Sequence, residues 1–106
     1  MANIVKLLNA VTGDTTGVPI KINRGQIEKY GNIPVLISSP VAMTANVNVE
    51  GTIATDREVN EGTAEFYPIG AAWTAEGCQT ITSPWTHIRG KVDTYVGGTI
   101  TLKVLL

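Results

Sequence analysis

The chain has 106 residues, is 43% apolar and 16% charged, and carries a formal net charge of −1 with a single cysteine. That length predicts one domain, 1–106, large enough to bury about 65% of the surface its unfolded chain exposes. A charge so near zero argues against nucleic-acid or membrane partners, one cysteine excludes an internal disulfide, and no apolar run is long enough for a membrane-spanning helix.

The charges are unevenly spread. Residues 1–30 hold Lys6, Lys21, Arg24 and Lys29 against Asp14 and Glu28, and residues 50–76 hold Glu50, Asp56, Glu58, Glu61, Glu65 and Glu76 against Arg57. No charged residue lies between Gly31 and Val49. This pattern fits either an ordinary folded surface or charge complementarity between copies or toward a scaffold.

In chain order, the start Met-Ala-Asn-Ile-Val-Lys lacks the basic lead and apolar core of a signal peptide. Ile4 to Val11 is a first strand, or an N-terminal arm within 1–12, because Ile4, Val5, Leu7 and Leu8 are too dense for clean alternation. Residues 12–17 are polar and turn-rich, and Val18 to Ile22 is a short strand with Pro19 near its start. Asn23 to Asn32, between Gly25 and Gly31, is a loop with at most one helical turn. Ile33 to Ile37 is a strand entered through Pro34, and Ser38-Ser39-Pro40 turns the chain.

Val41 to Thr55 holds the clearest alternation, with Val47, Val49, Gly51 and Ile53 on one face and Asn46, Asn48, Glu50, Thr52 and Ala54 on the other. Asp56 to Gly62 is a charged hairpin connection, followed by a strand at Thr63 to Tyr67 with Ala64 and Phe66 inward. Pro68-Ile69-Gly70 breaks it, Cys78 to Thr82 is a short strand, and Ser83-Pro84 breaks the chain again.

The last nineteen residues predict a β-hairpin: two period-two runs, Ile88 to Val96 and Thr99 to Leu106, flank Gly97-Gly98. A three-residue loop Val96-Gly97-Gly98, with Gly98 left-handed, pairs Val92 with Leu102 and Ile88 with Leu106. Arg89, Lys91, Asp93 and Tyr95 then face outward, and Gly90 leaves room for a large neighbour such as a tryptophan.

Seven to eight strands without a helix predict an all-β fold, an antiparallel β-sandwich of jelly-roll-like or immunoglobulin-like kind with an extended N-terminal segment. A closed barrel is the alternative.

Candidate chemistry is sparse. His87, the lone histidine, falls on the outward face of its strand with no general-base partner in reach, so it reads as a surface histidine. Cys78 reads as a buried sheet cysteine, since no basic neighbour or helix N-terminus is visible to activate it. Asp56, Glu58, Glu61 and Glu65 lack a calcium-loop spacing, and one histidine with one cysteine makes a poor zinc set. No catalytic, cofactor-binding or metal-binding residue is predicted. Trp73 and Trp85, each near a chain breaker, read as caps on the open ends of the core, as subunit contacts, or as a surface for stacking sugars.

The run Trp85 to Asp93, followed by Tyr95 to Leu102, resembles the closing strands of small β-sandwich structural proteins of tailed-bacteriophage virions, and Val47-Asn48-Val49-Glu50-Gly51-Thr52 is similar to their central strand. The resemblance implies a non-enzymatic particle component located in the virion and assembled in the host cytoplasm: a capsid decoration or cement protein, or a head or tail accessory. It also implies partners: other copies of the chain, a homotrimer by analogy or a dimer, and a major capsid or other virion protein. Ile4, Val5, Leu7, Leu8, Ile33, Val35, Val41 and Met43 are the interface candidates. Alternative readings are a carbohydrate-binding or adhesive module using Trp73 and Trp85, an unrelated interaction domain, or an enzyme.

Overall fold

The computed structural model describes residues 4–22, 32–82 and 85–105. The expected loop at Asn23 to Asn32 falls, apart from its last residue, outside the described residues, as does the break at Ser83-Pro84. Strands β1 (Ile4–Val11), β2 (Thr15–Thr16), β3 (Ile20–Lys21), β4 (Asn32–Ser38) and β5 (Thr44–Thr52) precede a six-residue helix, α1 (Asp56–Glu61); β6 (Tyr67–Pro68), β7 (Gly77–Thr82), β8 (His87–Gly97) and β9 (Ile100–Leu105) follow. They form two antiparallel sheets: one in the order β1-β9-β4-β7, the other in the order β2-β8-β5-β6 with β3 also on β8. The sheets pack together as a β-sandwich, and the alternation of side chains along each strand supplies its core.

From the first sheet come Leu7, Leu8, Ile33, Val35, Ile37, Ile81, Ile100, Leu102 and Val104; from the second and its flanks come Ile22, Ala45, Val47, Val49, Ile88 and Val92. Eight of these residues, among them Ile88, Ile100 and Leu102, are below 2% exposed. β1 explains its own excess of apolar residues. Its register against β9 shifts between Lys6 and Leu8, so Leu7 and Leu8 both turn inward while Ile4 and Lys6 stay outside.

The expected terminal hairpin does not form. β8 and β9 are strands, but β8 pairs with β2, β3 and β5 in one sheet, and β9 pairs with β1 and β4 in the other. Gly97 and Gly98 therefore carry the chain across the sandwich, and Val92 pairs with Val47 instead of Leu102. Gly98 does adopt a positive φ of 110°, its carbonyl accepts from the Tyr95 hydroxyl, and a β-carbon there would lie 3.1 Å from the Met43 Cα. Thr94, at φ 50°, sits where β8 slips against β5; beyond it Tyr95 packs against the core and Val96 is 74% exposed, the reverse of the expected parity.

Other expectations are corrected locally. Asp56 to Glu61 is helical because Thr55 caps it: the Thr55 hydroxyl accepts from the Glu58 amide, the Glu58 carboxylate accepts from the Thr55 amide, and Gly62 closes the end at φ 76°. Thr63 to Phe66 is not a strand, and pairing begins at Tyr67 and includes Pro68. The polar stretch at 12–17 contains β2, and the expected strand at Val18 to Ile22 reduces to Ile20–Lys21. β5 ends at Thr52, so Ile53 lies outside it at 75% exposure, whereas Glu50 and Thr52 on the supposedly solvated face are buried.

Candidate functional site: interaction surfaces and polar clamps

The first polar cluster forms where β3, α1 and β8 meet. Asp56, the first residue of α1, accepts from Lys21 Nζ at 2.8 Å and contacts His87 Nε2 at 2.9 Å. On the other side of the ring, His87 Nδ1 lies 3.0 Å from the Thr86 hydroxyl, which in turn donates to backbone carbonyl oxygen at Ala54, 2.7 Å away. His87 is 5% exposed, which overturns its reading as a surface histidine. It does point to the outer side of its strand, but α1 and Lys21 cover it there, and the covering helix is what sequence periodicity missed.

A groove of about 720 Å³ runs over this cluster, lined by Lys21, Ile22, Ile53, Ala54, Thr55, Asp56, Thr86 and His87. The hydrogen bond from Lys21 holds the Asp56 carboxyl below its ordinary value of 3.8, with the His87 contact adding to the effect against partial desolvation. The arrangement clamps α1 to the sheet. The Thr86 hydroxyl is directed at the backbone carbonyl oxygens of Thr52 and Ala54, which ties the start of β8 to the end of β5.

A second cluster lies on the outer face of β5 and β8. Glu50, 7% exposed, is the direct cross-strand neighbour of Arg89, and the Arg89 Nε donates to it at 2.8 Å. The same guanidinium lies 4.0 Å from the centre of the Phe66 ring. This is an ion pair under an aromatic ring, a geometry suited to fixing the connection between α1 and β6 against the sheet.

The two tryptophans pack against the core. Trp73 exchanges two backbone hydrogen bonds with Val47, and it lines a small recess with Val35, Ile37 and Gln79, which closes the gap between the sheets on that side. Trp85 lies against Gly51, the position whose missing side chain makes room for it. Gly90, expected to accommodate a tryptophan, instead receives Leu8 and Leu102. Cys78 is exposed and not buried, because β7 forms a sheet edge on which Ile81 is the residue directed into the core.

The interface candidates divide sharply. Leu7, Leu8, Ile33 and Val35 are core residues at 5% exposure or less, so their side chains are spent within the sandwich. Ile4 and Val41 stand exposed at 70% and 57%, while Val5 and Met43 are partly buried against the core. The outer face of the β1-β9-β4-β7 sheet carries a different apolar surface. Register places Ile4 beside Leu105, and Leu36 between Lys103 and Cys78, with Lys6 on the far side of Lys103. Leu36 and Leu105 are 43% and 40% exposed.

Among the described residues, no group of three or more His, Cys, Asp or Glu side chains is gathered to hold a metal ion. Comparison with protein-family models, curated proteins and solved structures finds no match.

Proposed function

We propose that this protein is a non-enzymatic structural component of a tailed-phage particle, a capsid decoration or cement protein that stabilises the shell through apolar contacts. The observation that carries this reading is the outer face of the β1-β9-β4-β7 sheet, where Ile4 and Leu105 are exposed cross-strand partners and Leu36 stands exposed on the next strand beside Lys103. Covering such a face yields about 25 cal/mol per Å² before association costs, and a lattice of copies adds these contacts multivalently.

We further infer that the sandwich is a jelly roll. The orders β1-β9-β4-β7 and β2-β8-β5-β6 correspond to the two interleaved sheets of that fold, with β2 and β3 acting as one strand interrupted at Pro19. Jelly rolls recur in viral capsid domains and lectins, which supports both the particle reading and its alternative. Fold alone carries no function, so the exposed face decides between them. Assembly into homotrimers or dimers, a major capsid or other virion protein as partner, and residence in the virion belong to the same proposal.

The carbohydrate-binding alternative draws on one observation, a groove of about 500 Å³ lined by Trp73, Gln79, Thr80 and Ile81. A glycan array separates the two. The particle reading predicts no saturable binding that Trp73→Ala abolishes; such binding with the fold intact overturns it in favour of the module.

A further inference from the structure

Lys6 and Lys103 are direct cross-strand partners on the outer face of the β1-β9-β4-β7 sheet. Like charges placed opposite one another weaken a sheet, and the four strands of this sheet carry these two lysines and no acid. Lys6 bonds only to the Asn9 amide oxygen, at 3.4 Å, and Lys103 makes no ion pair among the described residues. The face therefore combines exposed apolar residues with an unrelieved pair of positive charges.

The complementary surface exists on the same molecule. At the corner formed by α1 and β6, no described basic side chain pairs with Glu58 or Glu65, and Ile53 and Tyr67 stand 75% and 55% exposed nearby in the chain. Glu65 is held in place by the Tyr67 hydroxyl, which donates to it at 2.6 Å.

Resting on the particle reading above, we propose that copies of this chain associate head to tail, the Lys6/Lys103 face of one copy receiving the acidic α1–β6 corner of the next. A self-pairing of the lysine face is disfavoured, since it would bring four lysines together. A heterologous contact of this kind closes into a ring, a trimer included, or runs on as an open filament.

The test compares wild type, a face variant Lys6→Glu/Lys103→Glu, a corner variant Glu61→Lys/Glu65→Lys and their 1:1 mixture by sedimentation and native mass. Lys6, Glu61 and Glu65 are exposed and Lys103 is half-buried; Glu61, which pairs with Arg57, is used in place of Glu58 so that the helix cap stays intact, and Glu65 is the corner acid without a described basic partner. Far-ultraviolet spectra and thermal melts establish folding, with Leu36→Gln as a second face variant should the double charge reversal unfold. The expected result is concentration-dependent assembly of wild type, monomers for each variant alone, and assembly restored in the mixture, where the unaltered corner of the face variant meets the unaltered face of the corner variant and the two reversed surfaces again carry opposite charge.

Cys78, exposed on the same face, adds a readout: alkylation should slow in wild type and in the mixture relative to either variant alone. A wild type that stays monomeric, a corner variant that assembles like wild type, or a mixture that stays monomeric would overturn the proposal. Cosedimentation with phage shells is scored separately. A monomeric wild type that binds shells sinks the head-to-tail contact alone, and an assembling one that binds no shell sinks the particle reading alone.

Discussion

Trp85 packs its indole onto Gly51 so closely that a β-carbon on Gly51 would lie 2.5 Å from the ring. The pair closes one end of the core, and neither partner can change size alone. Gly51→Ala is expected to destabilise the fold by about 1–3 kcal/mol through overpacking, measured as a lower urea midpoint at unchanged slope. An unchanged midpoint would show that the indole can move aside freely.

Gly98→Val forces a β-branched residue to φ 110° and toward the Met43 backbone. The expected cost is about 1–3 kcal/mol, read as a clear drop in melting temperature, with amide exchange accelerated in 97–99 and in the facing 39–43 segment. Equal stability of the two proteins would mean that the crossing does not need this conformation.

The Lys21–Asp56–His87 clamp makes the attachment of α1 acid-sensitive. Because the folded Asp56 pKa lies below its ordinary 3.8, its contribution is fully present above that value and is lost as pH falls through the lower folded value. Protection of the α1 amides should therefore fall below about pH 4. Asp56→Asn should remove that step; an unaltered acid profile in this variant would assign the loss to other carboxylates.

Arg89→Ala strips Glu50 of its cation at a position 7% exposed. Leaving the carboxylate buried is expected to cost about 2 kcal/mol, discounted for the 27% exposure of the Arg89 side chain. A double-mutant cycle with Glu50→Gln should show coupling, and additive effects would contradict a working ion pair.

Tyr67 titrates above its ordinary 10 because its hydroxyl donates to the Glu65 carboxylate, whose charge opposes phenolate formation. Glu65→Gln should bring it back toward 10 in a spectrophotometric titration, with Tyr67→Phe identifying the step. No movement would place the Glu65 side chain elsewhere in solution.

Period-two alternation was enough to locate β5, β8 and β9 and the inward set Val47, Val49, Ile88 and Val92, while short runs bounded by turn residues located β4 and β7, and the apolar density of Ile4 to Val11 left β1 open between a strand and an arm. It carries no information on which strand pairs with which. Val92 and Leu102 both face the core, so a hairpin and a crossing between sheets leave the same pattern, and the diglycine between them serves either. The six-residue helix was legible in principle from Thr55-x-x-Glu58 and Gly62, a capping box with its C-terminal glycine, but the density of charge there also suits a turn.

The burial of His87 follows from that helix, so missing one meant missing the other. The double-inward Leu7 and Leu8 depend on a bulge that nothing in their spacing announces. The outer face that combines Leu36, Lys103 and Cys78 is set by long-range register, which sequence pattern alone does not encode.

The central claim is that the face bearing Ile4, Leu36 and Leu105 holds this protein on a particle. The most direct measurement mixes purified protein with shells assembled from a major capsid protein encoded in the same genome, then records bound stoichiometry and the temperature at which shells disrupt. Saturable binding that raises this temperature, and that is lost with Leu36→Gln while the variant stays folded, is the predicted result. Shells that bind nothing and melt unchanged, or binding indifferent to Leu36→Gln, would contradict it.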